Sequence, residues 1–292
     1  IQLANLSVRK HEDYLDQAQD NLFAYRRLTA PRGNIFDRAN RPVATNQRTW
    51  SLSYTPYGQE ASKARQTLEQ IRDFIGSPSD QEVEKILTTR PTWTRHSLLR
   101  RADQETVLPL LERLDDIDGL RAAEDYRREY LYPVDFAHVL GYMGKIQPGE
   151  VDTYTRPRYL PDDEVGRSGI ERAFQDLLAP YPGRERQERN ARSRYLSEPD
   201  VLEKAQAGQN IYLTIDAGLQ QRAMELLRGR TGSIIMMDVR DGSLLAVASS
   251  PAFDPAGLGR KTVRGMDVSF VNRAVRGQYA PGSTFKIIGA AA

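Results

Sequence analysis

The chain has 292 residues, 39% of them hydrophobic and 27% charged, with 41 basic against 39 acidic side chains. That composition fits a folded chain of about two domains and excludes bulk disorder, while the near balance of charge gives no field for nucleic acid, so no nucleic-acid partner is expected. Cysteine is absent, which excludes disulfides, thiol catalysis, zinc–cysteine sites and iron–sulfur clusters.

Three histidines, His11, His96 and His138, lie far apart in sequence and supply a metal site or a serine–histidine triad poorly. Neither a metal nor a cofactor is expected. No apolar run reaches the 18 or so residues of a membrane helix. The basic residues are 34 Arg and 7 Lys. Spread as they are among acidic residues, they read as surface ion pairs and compositional bias rather than an anion site. Residues 287–292 form an apolar run that reads as a helix continuing further, so the sequence reads as a piece of a longer protein.

In chain order, Tyr14, Leu15, Ala18, Leu22 and Tyr25 recur at helical spacing and predict a helix over 11–25. Pro31, Gly33 and Asn34 mark a turn into a short strand, and 50–54 reads as another strand. Ala64, Leu68, Ile71 and Ile75 predict a helix over 60–75. Ser79 with Glu82 forms a capping box for a helix to 88. Asp103 reads as the cap of a helix carrying Val107, Leu108, Leu111, Leu114 and Ile117, so 50–120 reads as a small α-rich subdomain.

Residues 121–146 read as extended and aromatic, and 148–163 as a loop. Residues 169–178 read as an amphipathic helix with Ile170, Phe174, Leu177 and Leu178 inward, and 184–194 as charged and exposed. Residues 210–216 predict a strand and 217–228 a helix. The apolar run 233–239 predicts a strand buried on both faces, and Arg240-Asp241-Gly242 a tight turn to a partner strand over 243–249. The order strand–helix–strand–turn–strand begins an α+β domain.

The chemistry-bearing stretch is Pro281-Gly282-Ser283-Thr284-Phe285-Lys286. After the Pro-Gly turn the residues read as a buried helix, with Ser283 at its N-terminus and Lys286 one turn on. A serine hydroxyl needs a base within hydrogen-bond reach, and a lysine desolvated beside Ile287 and Ile288 suits that role. The helix N-terminus would favour the developing alkoxide.

Ser-x-x-Lys alone is a weak signal, since Ser7-Val8-Arg9-Lys10 repeats it on what reads as a solvated helix. Gly277 to Gly282 gives G-x-x-x-x-G, but Ser283 stands where a phosphate-binding loop needs lysine, so a nucleotide site is rejected. Asp37 and Arg38 read as an ion pair pinning a turn rather than as catalytic groups. His138, beside Val139 and Leu140, reads as a hydrogen-bonded structural histidine.

In context these residues resemble a family, the class B penicillin-binding proteins, peptidoglycan transpeptidases of the serine β-lactamase-like superfamily. Arg32-Gly33-Asn34-Ile35-Phe36-Asp37-Arg38 is similar to the first motif of that family's non-catalytic pedestal. Arg128-Glu129-Tyr130-Leu131-Tyr132-Pro133 with His138-Val139-Leu140-Gly141-Tyr142 is similar to the second. Gly166 with Gly169-Ile170-Glu171 is similar to the third. Asp216 with Leu219-Gln220, Asp254-Pro255, Asn272-Arg273-Ala274 and the Ser283 segment follow in the family's order. The Gly-Ile-Glu helix and the form of the serine motif are most similar to the elongation branch, penicillin-binding protein 2, with the division and sporulation branches next.

Ala39-Asn40-Arg41 departs from the family's continuation of the first motif, and Ser193 stands near an expected glycine. Ser-x-Asn is absent, and Arg230-Thr231-Gly232 is rejected as a false Lys-Thr-Gly because it precedes the serine. These 292 residues alone therefore cannot complete an active site.

The resemblance implies an elongated pedestal over 31–205 with an α-rich head inserted at about 50–120, a membrane-proximal segment over 1–30, and the start of a transpeptidase domain over 206–292. It implies Ser283 as nucleophile, its backbone N–H as an oxyanion donor, and Lys286 as base, acting on peptidoglycan stem peptides of a lipid II-derived glycan and trapped by β-lactams. It implies an inner-membrane protein with this part in the periplasm, anchored by a helix ahead of Ile1. Its partners would be the SEDS polymerase RodA and the scaffold MreC, met on the region around 50–120. A division-type enzyme, a non-catalytic scaffold or a β-lactam sensor of the same fold are the alternatives.

Overall fold

The computed structural model describes residues 23–90, 92, 94–114, 116–150, 152–154, 158–160, 163–188, 198–255, 258 and 268–291. The strands are β1 (Phe23–Leu28), β2 (Ile35–Phe36), β3 (Pro42–Tyr54), β4 (His96–Ala102), β5 (Leu120–Tyr130), β6 (Met143–Lys145), β7 (Glu164–Gly166), β8 (Gly183–Glu188), β9 (Asp200–Glu203), β10 (Ile211–Tyr212), β11 (Gly232–Met237) and β12 (Leu244–Ser250). With the helices between them the fold is α+β. The chain divides into two compact units, residues 1–32, 46–127 and 180–208 in the first, and 33–45, 128–179 and 209–292 in the second.

In the first unit, helices Ala61–Ile75, Asp80–Thr88 and Gln104–Leu111 pack on strands around one core. Leu52 and Tyr54 of β3, Leu98 of β4, Leu68, Ile71, Val83, Ile86, Val107, Leu110 and Leu120 are all buried there. β3 and β4 pair antiparallel, Trp50 opposite Ala102 and Tyr54 opposite His96. The capping box forms as the sequence predicts: Ser79 Oγ accepts from Glu82 N–H, and the Glu82 carboxylate accepts the Ser79 N–H at 2.8 Å.

Four expectations fail in this unit. Residues 23–25 belong to β1 rather than a helix, because β1 pairs with β8 from Phe23 opposite Glu188 to Leu28 opposite Gly183. The rest of the predicted helix, with His11 and the Ser7–Lys10 motif, lies outside the described residues. Residues 183–188 are likewise strand and partly buried, since Glu185 folds inward onto Arg26 at 3.0 Å. Ser193 also lies outside the described residues. Asp103 stands at the N-cap position of its helix, but its side chain makes no cap hydrogen bond; its carboxylate is engaged by Arg127 at 2.9 Å and by Gln47. That helix ends at Leu111, so Leu114 and Ile117 reach the core from the turn beyond it.

In the second unit, β10 runs parallel to β2, and β2 pairs antiparallel with the start of β3. Ile35, Val43, Ala44, Phe136, Leu140, Leu178, Ile215 and Ala217 form its main core. Within the stretch read as extended, 137–140 is a helical turn. The strand over 210–216 shrinks to the two residues of β10.

Helix Ala217–Leu226 is capped by Asp216, whose Oδ1 accepts the Leu219 N–H at 3.0 Å. Its buried Gln220 ties it to β12, donating to the Val247 carbonyl at 3.0 Å and accepting the Val247 N–H at 2.7 Å. β11 and β12 form a two-stranded antiparallel hairpin. The strand expected to be buried on both faces instead exposes Ile235, Met236, Met237 and the following Val239. No further strand is paired to it among the described residues.

Residues 169–178 are two short helices, Gly169–Ala173 and Gln175–Leu178, interrupted at Phe174. Their buried side chains are Glu171, Gln175 and Leu178, whereas Phe174 and Leu177 stand exposed. Polar partners cause this inversion: Gln175 accepts the buried Gly166 N–H at 2.9 Å, and Glu171 meets an arginine.

Candidate functional site

Two chemically distinct sets of residues, Arg32 apart, lie in the second unit. The first is the set of predicted motif residues, which the fold brings together. Arg128 opens the second motif and Glu171 closes the third; their side chains are 6% and 0% exposed and meet at 2.7 Å. Arg128 also donates to the Gly33 carbonyl of the first motif at 2.8 Å. Three sequence-distant segments thus cross at one guanidinium, whose planar fork can serve several acceptors at once.

The backbones cross just as closely. A Cβ on Gly33 would lie 1.8 Å from the Gln209 carbonyl oxygen. Gly169, at φ +58°, packs its Cα where a Cβ would meet the Gly141 N–H nitrogen at 2.6 Å. Only glycine fits such approaches.

Asp37 is buried and turned inward. Its Oδ1 accepts the Ala39 and Arg41 N–H groups at 2.8 Å each, and its Oδ2 accepts from Arg41 Nε at 2.8 Å and from the Ala217 N–H at 3.2 Å. Arg41 reaches on to Asp216 at 3.3 Å. Burial alone would raise the Asp37 carboxyl, but the Arg41 side chain and the three backbone donors outweigh it and hold the carboxyl below its ordinary 3.8.

The expected partner of Asp37 was Arg38, and that pairing is corrected: Arg41, four residues on and across the turn, takes the carboxylate, while Arg38 is exposed and holds its place by donating its N–H to the Ile215 carbonyl at 3.0 Å. Arg32 falls in the first unit, buried, its carbonyl accepting from Asn46 at 2.6 Å. Arg41 and Arg128 were not singled out from the sequence. Arg128 sits inside the second motif and Arg41 in the stretch that departs from the first, and nothing in their spacing named their partners.

Tyr132 and Pro133 lead into the helical turn Ala137–Leu140, with the Tyr132 and Phe136 rings 6.0 Å apart. His138 on that turn lies edge-on to Phe253 at 5.3 Å, and its Nε2 meets the Pro251 carbonyl at 3.3 Å. A carbonyl only accepts, so Nε2 carries the proton. Burial pushes the imidazole below its ordinary value; the Pro251 carbonyl opposes this and Arg273 adds to it. His138 is thus held in place by one hydrogen bond to a carbonyl and an edge-on ring contact.

The second set is the serine segment. Asn272 caps helix Arg273–Arg276 by accepting the Ala274 N–H at 3.1 Å. Gly282–Phe285 is a single 3-10 turn that runs directly into helix Lys286–Ala291. Ser283 and Lys286 thus stand three residues apart at the start of a helix, as the motif predicts. The helix is not buried, however. Ser283 and Lys286 are exposed, and Ile287 and Ile288 are 76% and 61% exposed. The desolvation expected for Lys286 is therefore absent in this chain, because no described element packs over the two isoleucines. Among the described residues, no group of three or more His, Asp or Glu could hold a metal ion, and no helix is long and apolar enough to cross a membrane.

The penicillin-binding protein dimerisation domain matches residues 27–213, and the penicillin-binding protein transpeptidase domain matches residues 232–292. The chain belongs to the penicillin-binding protein family. It is 30% identical over 295 residues to the peptidoglycan D,D-transpeptidase MrdA of Acinetobacter baumannii, an alignment covering 97% of this chain and 43% of that protein. The chain spans less than half the length of the curated MrdA relatives it matches.

Its fold is similar to that of penicillin-binding protein 2 of Helicobacter pylori in complex with MreC, with a TM-score of 0.64 and 24% identity over 82% of this chain and 44% of that one. It is also similar, with a TM-score of 0.61 and 28% identity over 98% of this chain and 50% of that one, to a chain of a peptidoglycan synthase complex that coordinates polymerization and crosslinking. Within the family the likeness is to elongation-type members.

Proposed function

We propose that this chain is the pedestal and the first part of the catalytic domain of an elongation-type peptidoglycan D,D-transpeptidase. The observation that carries the proposal is the Ser283–Lys286 pair, three residues apart at the start of a helix inside the stretch matched by the transpeptidase domain. Its relatives are named D,D-transpeptidases.

Ser283 Oγ attacks the penultimate D-Ala carbonyl of a stem peptide, and Lys286 takes the hydroxyl proton. The Ser283 N–H donates to the oxyanion, a contribution of about 3 kcal/mol for donors of this kind. The proton passes to the departing D-alanine amine as the acyl-enzyme forms. An amine of a neighbouring stem then attacks the ester, forming the cross-link, and the proton it loses passes through Lys286 to the departing Ser283 oxygen. β-Lactams take the donor's place and leave Ser283 acylated.

In this reading the whole protein is anchored in the inner membrane with this part in the periplasm, and it works with MreC and a SEDS glycan polymerase of the RodA kind. The full-length protein should label covalently with a fluorescent penicillin, and Ser283→Ala should abolish the label. Labelling that survives in Ser283→Ala would overturn the assignment; a wild-type protein that takes no label would favour a scaffold of the same fold.

A further inference from the structure

We propose that His138 and Asn272 are positioning residues for the serine-bearing segment, forming with Ser249 a clamp on residues 271–274. The inference rests on the reading of Ser283 as the acylated serine.

The clamp grips the backbone from two directions. On one side His138 is fixed by its Nε2–H to the Pro251 carbonyl at 3.3 Å, and its own carbonyl accepts Asn272 Nδ2 at 3.5 Å. Asn272 turns its other amide atom to the Ala274 N–H at 3.1 Å. On the other side, the buried Ser249 Oγ at the end of β12 accepts the Arg273 N–H at 2.9 Å and donates to the Val271 carbonyl at 3.2 Å. An aromatic wall supports both: Phe253 stacks on Phe270 at 4.7 Å and takes His138 and Tyr142 edge-on at 5.3 and 5.8 Å.

Past this clamp the hydrogen bonds become local. Gly277 N–H donates to the Arg273 carbonyl at 3.1 Å, and Thr284 N–H to the Pro281 carbonyl at 3.2 Å. Among the described residues, the last long-range hydrogen bonds ahead of Ser283 are therefore those of 271–274. A displacement of about 1 Å at a reacting group costs about a hundredfold in rate, so a clamp that sets where the segment starts acts on the acylation step. His138 touches no reacting atom in this scheme. It acts through Asn272, and its job needs one donor at the ring's Nε2 and one carbonyl.

The test uses the full-length protein and a fluorescent penicillin, separating the acylation rate constant from the dissociation constant of the complex that precedes it. His138→Leu keeps the volume and removes the donor. His138→Gln restores an amide donor at similar reach. Asn272→Asp keeps the cap oxygen and removes the donor to His138, so it tests the clamp even where His138→Leu fails to fold.

The expected result is an acylation rate constant lowered about tenfold to a hundredfold in His138→Leu and Asn272→Asp, with the dissociation constant and the rate of His138→Gln within about threefold of wild type. Folded His138→Leu or Asn272→Asp protein that acylates at the wild-type rate overturns the proposal. So does a loss confined to the dissociation constant, or a His138→Gln variant as slow as His138→Leu. A wild-type protein that acylates at a serine other than Ser283 overturns the parent reading instead, and shows as such by the mapped adduct.

Discussion

Around Arg128 and Asp37 the second unit buries its charges and presses backbone against backbone. Around Ser283 and Lys286 the same unit leaves both functional groups, and the isoleucines after them, in solvent. Both regions carry motifs of one family, yet the motifs do different physical work. The first three hold segments far apart in sequence at a single crossing, where Arg128 meets Glu171 and the Gly33 carbonyl. A buried ion pair of this kind adds little over an apolar pair in net stability, but losing one partner leaves an uncompensated charge. The last motif, to which we assign the chemistry, packs little among the described residues of this chain. The most deeply buried polar motif side chains, Asp37 and Glu171, are both taken up by arginine partners.

That contrast can be broken most severely at the glycines. Gly33→Ala would drive a Cβ to 1.8 Å from the Gln209 carbonyl, and backbone cannot yield as a flexible side chain does. The expected loss exceeds about 3 kcal/mol, read as a large drop in melting temperature or failure to fold. A folded Gly33→Ala protein with an unchanged melting temperature would show that the crossing is not close-packed.

Next in size is Arg128→Ala, which strands Glu171 with its charge buried. It should cost about 3–5 kcal/mol in urea unfolding, and Arg128→Ala paired with Glu171→Ala should recover part of that loss. Strictly additive effects in the double mutant would deny the pair its coupling.

The smallest expected effect is at Asp37, whose partner Arg41 is half exposed. Asp37→Asn should cost about 1–3 kcal/mol at neutral pH. The wild-type carboxyl titrates lower in the folded chain than in the unfolded one. Its stabilisation is therefore complete above the ordinary carboxylate value of 3.8 and is lost as pH falls through and below it. The gap between wild type and Asp37→Asn should accordingly narrow in acid. A gap that widened there would contradict the hydrogen-bond network assigned to Asp37.

What the sequence discloses follows the same divide. Local signals read true: the helix over 61–75, the Ser79–Glu82 box and the turn at 240–242 each depend on residues within a few positions of one another. Partner choice across the chain did not read. Leu178 and Ile170 turn inward as their periodicity predicts, but Phe174 and Leu177 do not, because Glu171 is met by Arg128 from 43 residues away and Gln175 by the Gly166 N–H. Asp37 skips the adjacent Arg38 for Arg41 because the turn folds the latter back onto it. The run over 233–239 records a demand for cover, not the presence of a covering layer.

For the site, Ser283 and Lys286 were legible as a motif, while the clamp at His138, Ser249 and Asn272 was not. Its hydrogen bonds join residues more than a hundred positions apart or run through backbone atoms, which carry no mark in the sequence.

The most direct measurement is to treat the full-length protein with a penicillin, digest it, and map the adduct by mass spectrometry. The predicted result is one penicilloyl group on the peptide that contains Ser283, absent from the Ser283→Ala protein and still present in folded Asp37→Asn. An adduct on any other residue, or one that persists in Ser283→Ala, would contradict the division of labour between the buried motif core and the exposed serine segment.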